Sequence, residues 1–186
     1  MPELTGSDSN THLETMSASR RAGAVVAAGL ITGALVGASL GVLWWALAPR
    51  VPVVVSGVDA RPDGFQPEGY LAADVAFMGL AIVAGLIVTI GLARMRREDL
   101  LGVLLAALLA GAVGTAVMWF VGTWLGSVNV EELIGTSETE IVIDGPLTLS
   151  LPAAFAMWPL AAAVVVTVLA VGDWLSQWQS QRPSQP

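Results

Sequence analysis

The chain has 186 residues, of which 55% are hydrophobic and 12% are charged, with a formal net charge of −7 and a mean hydropathy of +0.73. A soluble domain carries roughly 25% charged residues, so this composition excludes an ordinary soluble protein. The absence of cysteine excludes disulfides, thiolate metal sites, haem attachment and a lipoprotein anchor. The single histidine, His12, lies in a polar N-terminal segment, so we expect neither haem ligation nor an imidazole proton relay.

The apolar residues form four long blocks, at about residues 22–48, 71–93, 100–125 and 151–172. About 20 consecutive apolar residues suffice to cross a bilayer as a helix. The sequence therefore predicts an all-α membrane protein with four transmembrane helices in a domain covering residues 22–175. We expect residues 1–21 to be a disordered cytoplasmic tail and residues 176–186 to be a second cytoplasmic tail.

The first block also has features of a cleaved signal. Arg20-Arg21 resembles a twin-arginine signal, and Ala46-Leu47-Ala48 resembles a cleavage site. Signal peptides have an apolar region of about 7–15 residues, which is much shorter than this block. We therefore favour an uncleaved first span.

Arginine placement predicts the orientation. Residues 94–99 form a short charged turn between two apolar blocks, and Arg94, Arg96 and Arg97 are its topology determinants. Six arginines fall on the side of this turn and two fall on the other side: Arg20, Arg21, Arg94, Arg96, Arg97 and Arg182, against Arg50 and Arg61. The positive-inside rule then places both termini in the cytoplasm of a bacterial cell, with the protein multi-pass in the plasma membrane.

Two loops, at residues 49–70 and 126–150, form a small extracytoplasmic cap in this scheme. Residues 51–55 and 140–143 are rich in β-branched side chains and predict two short strands that pair with each other. Neither loop has a second strong strand, and Pro52 limits the first strand to an edge. The acidic residues Glu131, Glu132, Glu138 and Glu140 favour a solvated anionic surface over a divalent-cation site.

Four glycines recur every fourth residue in the first block: Gly29, Gly33, Gly37 and Gly41. At 3.6 residues per turn they share one helix face, and small residues at this spacing allow another helix to approach closely. The spacing does not identify the neighbour. It is either the third block, with its glycines at positions 111, 114, 122 and 126, or another protein chain, in a homo-oligomer or with other membrane proteins.

Seven tryptophans lie near the predicted ends of the spans: Trp44, Trp45, Trp119, Trp124, Trp158, Trp174 and Trp178. Indole rings favour the headgroup level, so we interpret all seven as interface anchors rather than ligand contacts. Asp74 is interpreted as a helix-start cap, with ligand or ion capture as the alternative. Pro159 lies within the fourth block and predicts a structural kink rather than a gating hinge.

No ionisable residue lies deep in a predicted span, which argues against a proton- or sodium-coupled transporter. The sequence contains no nucleophile–base pair, phosphate-binding loop or metal-binding motif. We therefore expect no catalytic residues, no cofactor, no metal and no nucleic-acid partner. The favoured function is that of an accessory or scaffolding component of the cell envelope or of a membrane complex; the alternative is a passive or facilitated conduit for a small solute.

Several short motifs carry a resemblance: Gly33-Ala-Leu-Val-Gly37, Leu43-Trp-Trp-Ala-Leu-Ala-Pro49, Asp74-Val-Ala-Phe-Met-Gly79, the arginine turn, Asp144-Gly-Pro-Leu147 and Trp158-Pro-Leu-Ala161. Over about residues 22–172 the chain resembles an actinobacterial family of small four-span membrane proteins, catalogued as a domain of unknown function. The resemblance implies four spans and a plasma-membrane location in a mycolate-type or related actinobacterium. It implies no reaction and no catalytic residues.

Overall fold

A computed structural model of the chain describes residues 6–56, 59–64, 67–95, 99–129 and 140–180. In chain order its elements are α1 (Gly6–Leu47), β1 (Pro52–Ser56), β2 (Asp59–Pro62), α2 (Pro67–Met95), α3 (Leu100–Leu125), β3 (Ile141–Asp144), a 3₁₀ helix (Pro152–Ala156) and α4 (Met157–Ser180). The structure is mostly helical and contains one small sheet.

Within the described ranges, four helices are long and apolar enough to cross a membrane, which confirms the coarse architecture predicted above. The apolar stretches are Val26–Leu47, Pro67–Met95, Leu100–Leu125 and Pro152–Ser180. The shortest has 22 residues, which at 1.5 Å per residue span about 33 Å, enough for a hydrocarbon core of about 30 Å. Only 22–39% of each apolar window is buried within the chain, so the described part of the chain does not cover most of the residues in these helices.

Each helix packs along a parallel helix rather than mainly along its neighbour in sequence. α1 packs along α3, and α2 packs along α4. α3 also contacts both α2 and α4, and α2 also contacts α1, whereas no Cα atoms of α1 and α4 lie within 8 Å of each other in the described ranges. α3 makes the most extensive contacts with the other helices and is therefore the central helix. We call the end where α1 and α3 finish the sheet end, and the end where α2 finishes and α3 begins the hairpin end.

The sheet joins the two connections at the sheet end. Its strand order is β2-β1-β3, and both pairings are antiparallel. Val53 of β1 lies opposite Ile143 of β3, and Val55 lies opposite Ile141. The predicted pairing of the strand after the first helix with the strand before the last helix is thus confirmed.

Two details of the predicted sheet are wrong. The first loop does contain a second strand, β2, which forms a hairpin with β1. Its sequence, Asp59-Ala-Arg-Pro62, has no β-branched residue, so neither composition nor periodicity indicates a strand. In addition, β1 is the central strand and not an edge strand. Pro52 is compatible with this position because it is the first residue of β1, where a missing N–H is tolerated.

The helix ends also differ from the predicted boundaries. α1 begins at Gly6, so helix covers residues 6–21, for which the composition predicted a disordered tail; residues 1–5 lie outside the described residues. Adding a residue to an existing helix costs much less than starting a new one, so an apolar span can extend into a polar flank. α4 runs to Ser180, beyond the predicted span end at 172, and residues 181–186 lie outside the described residues.

Pro159 does not kink the middle of a helix. A 3₁₀ helix precedes α4, and α4 begins at Met157, which puts Pro159 in its first turn. N–H groups in the first turn have no intrahelical partner, so a proline there removes no ladder hydrogen bond. The hydropathy block placed the helix start about one and a half turns too early.

Three clusters of buried apolar side chains fill the bundle from one end to the other. The cluster nearest the sheet end centres on Trp44, Phe77 and Met118, the middle one on Trp158 with Ala81 and Ala84, and the one nearest the hairpin end on Ala93, Val103 and Val166. At the sheet end the rings of Trp44 and Phe77 meet edge to face, with centroids 5.1 Å apart.

The fold predicts that Pro62 and Ser180 are accessible from opposite sides of the membrane. Both are exposed, with Pro62 in β2 at the sheet end and Ser180 at the far end of α4. The chain has no native cysteine, so thiol labelling of a Pro62→Cys or Ser180→Cys variant reports the accessibility of that position alone. In intact cells an impermeant maleimide should label one of them, and the other should react only after permeabilisation. Labelling of both without permeabilisation would contradict the fold.

Candidate functional site

The four glycines of α1 lie directly against the backbone of α3. Gly29, Gly33, Gly37 and Gly41 face Ala106, Ala110, Gly114 and Met118, respectively. We call this contact the glycine seam. The contacting residues are spaced by four on both helices, and their residue numbers increase in the same direction. α1 and α3 therefore run parallel and in register along the seam.

A Cβ atom at any of the four glycines would lie under 3.0 Å from an α3 carbonyl oxygen, that of Ala106, Ala110, Gly114 or Met118. The glycine Cα–H groups therefore point at these carbonyl oxygens. Such Cα–H···O contacts are worth perhaps about 0.5–1 kcal/mol each, and they recur where helices approach closely. In lipid, where burial of apolar surface gives no net drive, this close packing is what holds two helices together.

Of the two neighbours that the spacing leaves open, the third helix of the same chain lies against the glycine face in the structure. Contact of that face with a homo-oligomer or with other membrane proteins stays a prediction. A partner would have to displace α3 to reach it. Without such a displacement, contact with another chain would use a different surface.

The glycines of α3 receive bulky side chains. A Cβ at Gly122 would meet the Trp44 ring, and one at Gly114 would meet the Trp158 ring, each under 3.0 Å. Gly126 lies in the same way against Leu147. α3 thus uses its small residues on more than one face, for the α1 backbone on one side and for indole rings on others.

Trp44 and Trp158 are not interface anchors. Both are 0% exposed, and each fills a core cluster. The indole Nε1–H of Trp44 donates to the carbonyl oxygen of Ala73 at 2.9 Å, whereas that of Trp158 has no partner within the described residues. Both side chains point inward, a direction that hydropathy along the chain does not report.

The other tryptophans remain candidates for the headgroup level. Trp119, Trp124, Trp174 and Trp178 are between 41% and 67% exposed. Trp45 is half-buried, and the Arg50 guanidinium carbon lies 5.6 Å from its ring centroid, a cation–π geometry. Their role as anchors stays a prediction.

Asp74 is buried rather than capping a helix. α2 begins at Pro67, so Asp74 lies two turns inside it, with 1% of its surface exposed. One carboxylate oxygen, Oδ1, accepts the backbone N–H of Ser150 at 3.0 Å, and Oδ2 has no partner within the described residues. The neighbouring Ala73 carbonyl accepts from Trp44. We call Trp44, Ala73, Asp74 and Ser150 the sheet-end node, because they link α1, α2 and the segment leading to α4.

The arginine turn is described only in part. Arg94 is exposed in the last turn of α2, where a positive charge is favourable at the negative end of the helix, and Arg96 and Arg97 lie outside the described residues. Asp99 caps the next helix, its Oδ1 accepting the N–H of Gly102 at 2.8 Å. The Asp99 cap satisfies an N–H group of the first turn of α3 and favours the start of that helix at Leu100.

A cleft of about 250 Å³ opens beside this turn, which we call the hairpin-end cleft. It is lined by α2, α3 and α4 through Ile90, Ala93, Arg94, Leu100, Leu169 and Asp173. Among the described residues, its lining is apolar except for the guanidinium of Arg94 and the carboxylate of Asp173. Among the described residues no group of three or more His, Cys, Asp or Glu side chains could hold a metal ion.

Comparison of the chain with protein-family models, with curated proteins and with solved structures gave no match.

The glycine seam predicts that a glycine-to-alanine substitution at a seam position of α1 lowers the stability of the protein instead of raising it. Alanine normally stabilises a helix interior by roughly 0.5–1 kcal/mol relative to glycine. At Gly37 the new Cβ would clash with the backbone of Gly114, so Gly37→Ala should instead destabilise by about 1–3 kcal/mol. Gly79 of α2 has nothing within 4 Å of a Cβ, so Gly79→Ala is the matched control and should be neutral or stabilising. Thermal unfolding in detergent measures both, and equal stability of the two variants would contradict the seam.

The sheet-end node predicts a local effect of Asp74. Asp74→Ala removes the acceptor for the Ser150 N–H, which should cost about 1–3 kcal/mol and speed hydrogen exchange at that amide. Asp74→Asn keeps an oxygen at Oδ1 and should retain slow exchange. If the alanine and asparagine variants exchange equally fast at Ser150, the hydrogen bond does not hold this segment.

Proposed function

We propose that this protein is a non-catalytic accessory or scaffolding component of a bacterial plasma membrane that binds a basic partner at its sheet end. The observation that carries the proposal is the three-stranded sheet at the sheet end and its attachment to the helices. Two loops far apart in sequence form one sheet, and the sheet is tied to the helices below it. A rigid surface of this kind suits binding, because little conformational entropy is lost when a partner docks.

Backbone and side-chain hydrogen bonds support the rigidity of this surface. The N–H of Gly145 donates to the carbonyl of Val51 at 3.0 Å, and the N–H of Leu147 donates to the carbonyl of Gly126 at 3.2 Å. Leu147 is 4% exposed within the core cluster nearest the sheet. The sheet-end node adds the link from Asp74 to Ser150.

Charge supports a basic partner. The exposed acidic residues described at the sheet end are Asp59, Asp63, Glu68, Glu140 and Asp144. Arg61 forms an ion pair with Glu140 at 3.3 Å, but both side chains are more than 60% exposed, so this pair adds little stability. Glu131, Glu132 and Glu138 lie outside the described residues. An anionic surface attracts cationic partners and raises their association rate.

The orientation with both termini cytoplasmic and the sheet outside follows from the arginine distribution. The resemblance to an actinobacterial membrane family agrees with this location, and it stays a prediction. The partner surface in this proposal is the acidic sheet rather than the glycine face, which α3 covers.

The packed interior gives no support to the alternative of a solute conduit. Trp44, Phe77, Met118 and Trp158 are all 0% exposed and occupy the centre of the bundle. A conduit would require a path lined by polar groups or water between the helices. The buried polar side chains described there, Asp74, Thr89 and Thr115, are separate from one another along the helices.

The proposal is tested by removing charge from the sheet end without changing shape. The triple variant Asp59→Asn, Glu68→Gln and Asp144→Asn neutralises three exposed acids. The double variant Arg61→Gln and Glu140→Gln is the control, because it alters the same surface and leaves the net charge unchanged. A stoichiometric partner that co-purifies with the wild type and the control in mild detergent at low salt should be lost from the triple variant.

Three results would contradict the proposal. One is the absence of any stoichiometric partner at low ionic strength, where screening of exposed charges is weakest. Another is solute flux through proteoliposomes that contain only this protein, which would support the conduit. The third is retention of a partner by the triple variant, which would show that binding does not use the acidic sheet.

A further inference from the structure

The hairpin-end cleft brings together two opposite charges that are not paired with each other. Arg94 is on α2 and Asp173 is on α4, and both are exposed and line the same cleft. No nitrogen–oxygen distance of 4.0 Å or less joins them. Neither side chain has a hydrogen bond or ion pair to another described residue. Both groups are therefore available to a ligand that carries one negative and one positive charge.

The other described residues that line the cleft are apolar. Ile90, Ala93, Leu100 and Leu169 form its walls, and Ala93 packs with Val103 and Val166 in the buried cluster behind it. A charged pair above an apolar wall matches the chemistry of a phospholipid, whose headgroup continues directly into acyl chains. A free polar metabolite would leave these walls without a complementary group.

The position of the cleft also fits a lipid. Arg94 is in the last turn of α2, and Leu100 is the first residue of α3, so the cleft opens where the two helices leave the apolar region. In a bilayer this is the level of the headgroups. The volume of about 250 Å³ is below the roughly 300–1,000 Å³ of pockets for whole small molecules, and it suits a headgroup with the chains left in the bilayer.

We propose that the hairpin-end cleft binds one zwitterionic phospholipid of the bilayer whose headgroup carries a phosphate and a primary ammonium. The Arg94 guanidinium binds the phosphate, for which its planar, multiple N–H donors are well suited. The Asp173 carboxylate accepts N–H donors from the ammonium. The apolar walls contact the first carbons of the acyl chains.

The two charges together define the lipid class. An anionic headgroup without an ammonium would leave Asp173 facing a negative charge, which is unfavourable. A choline headgroup has a quaternary ammonium with no N–H donor, so it cannot hydrogen-bond to the carboxylate. The site should therefore rank phosphatidylethanolamine above both phosphatidylcholine and phosphatidylglycerol. This inference requires only that the helices cross a membrane, and it is independent of binding at the sheet end.

Native mass spectrometry of the full chain in detergent tests this ranking. Each lipid is titrated separately, and the fraction of protein with one bound lipid gives an apparent Kd. We expect phosphatidylethanolamine to bind roughly tenfold more tightly than the other two lipids, the effect of one charge-assisted hydrogen bond. Asp173→Asn should abolish that preference, whereas Arg94→Gln should weaken the binding of all three lipids, because all three carry the phosphate that Arg94 binds. Arg61→Gln at the opposite end is the control and should preserve the preference.

Three outcomes would overturn the proposal. Equal binding of all lipids by the wild type would mean that lipids only coat the apolar surface. Tighter binding of phosphatidylglycerol, increased further by Asp173→Asn, would mean that Arg94 alone forms an anionic-lipid site. In the third outcome, millimolar phosphoethanolamine displaces the lipid and binds with the same apparent Kd as phosphatidylethanolamine. That result would mean that the site recognises the soluble headgroup compound rather than a lipid of the bilayer.

Discussion

The close approach of the α1 and α3 backbones is the contact on which the rest of the structure depends. Four glycines remove every side chain from one face of α1, and α3 carbonyl groups occupy that space. Because lipid solvates apolar side chains as well as protein does, a helix pair in a bilayer is held by such tight contact. The seam fixes both the direction and the register of α1 relative to α3. Both helices therefore finish at the same end, where β1 and β3 meet in one sheet.

α3 links this contact to the other helices. One of its faces receives α1, while Gly122 and Gly114 receive the rings of Trp44 and Trp158 from the helices on either side. Trp44 in turn donates to the backbone of α2 next to Asp74, whose carboxylate holds the segment that leads to α4. These contacts connect the glycine seam to the sheet end, the surface proposed for binding. At the opposite end, the described residues that line the hairpin-end cleft include one positive and one negative side chain.

The sequence predicted the features that depend on composition along the chain. Hydropathy located the four spans, and β-branched residues located the two strands that pair across the loops. The direction of a side chain depends on helix rotation and on where a helix begins, and hydropathy reports neither. Hydropathy therefore predicts the headgroup level for Trp44 and Trp158, although both point inward. It predicts a helix-start cap at Asp74, although α2 starts at Pro67, two turns before that residue. The strand at Asp59–Pro62 forms only because β1 offers it an edge, a tertiary cause that its own residues do not record.

The central claim is that the glycine face is closed within one chain, and disulfide cross-linking tests it most directly. A Cβ at Gly41 would lie under 3.0 Å from the Cβ of Val121, and disulfides join Cβ atoms about 3.5–4.5 Å apart, so a small shift permits a bond between cysteines at these positions. The chain has no other cysteine to compete. Oxidation of the Gly41→Cys, Val121→Cys double variant in membranes should give a cross-linked species that migrates as a monomer. A cross-linked dimer as the main product would mean that α1 packs against α3 of another copy, and it would contradict the account.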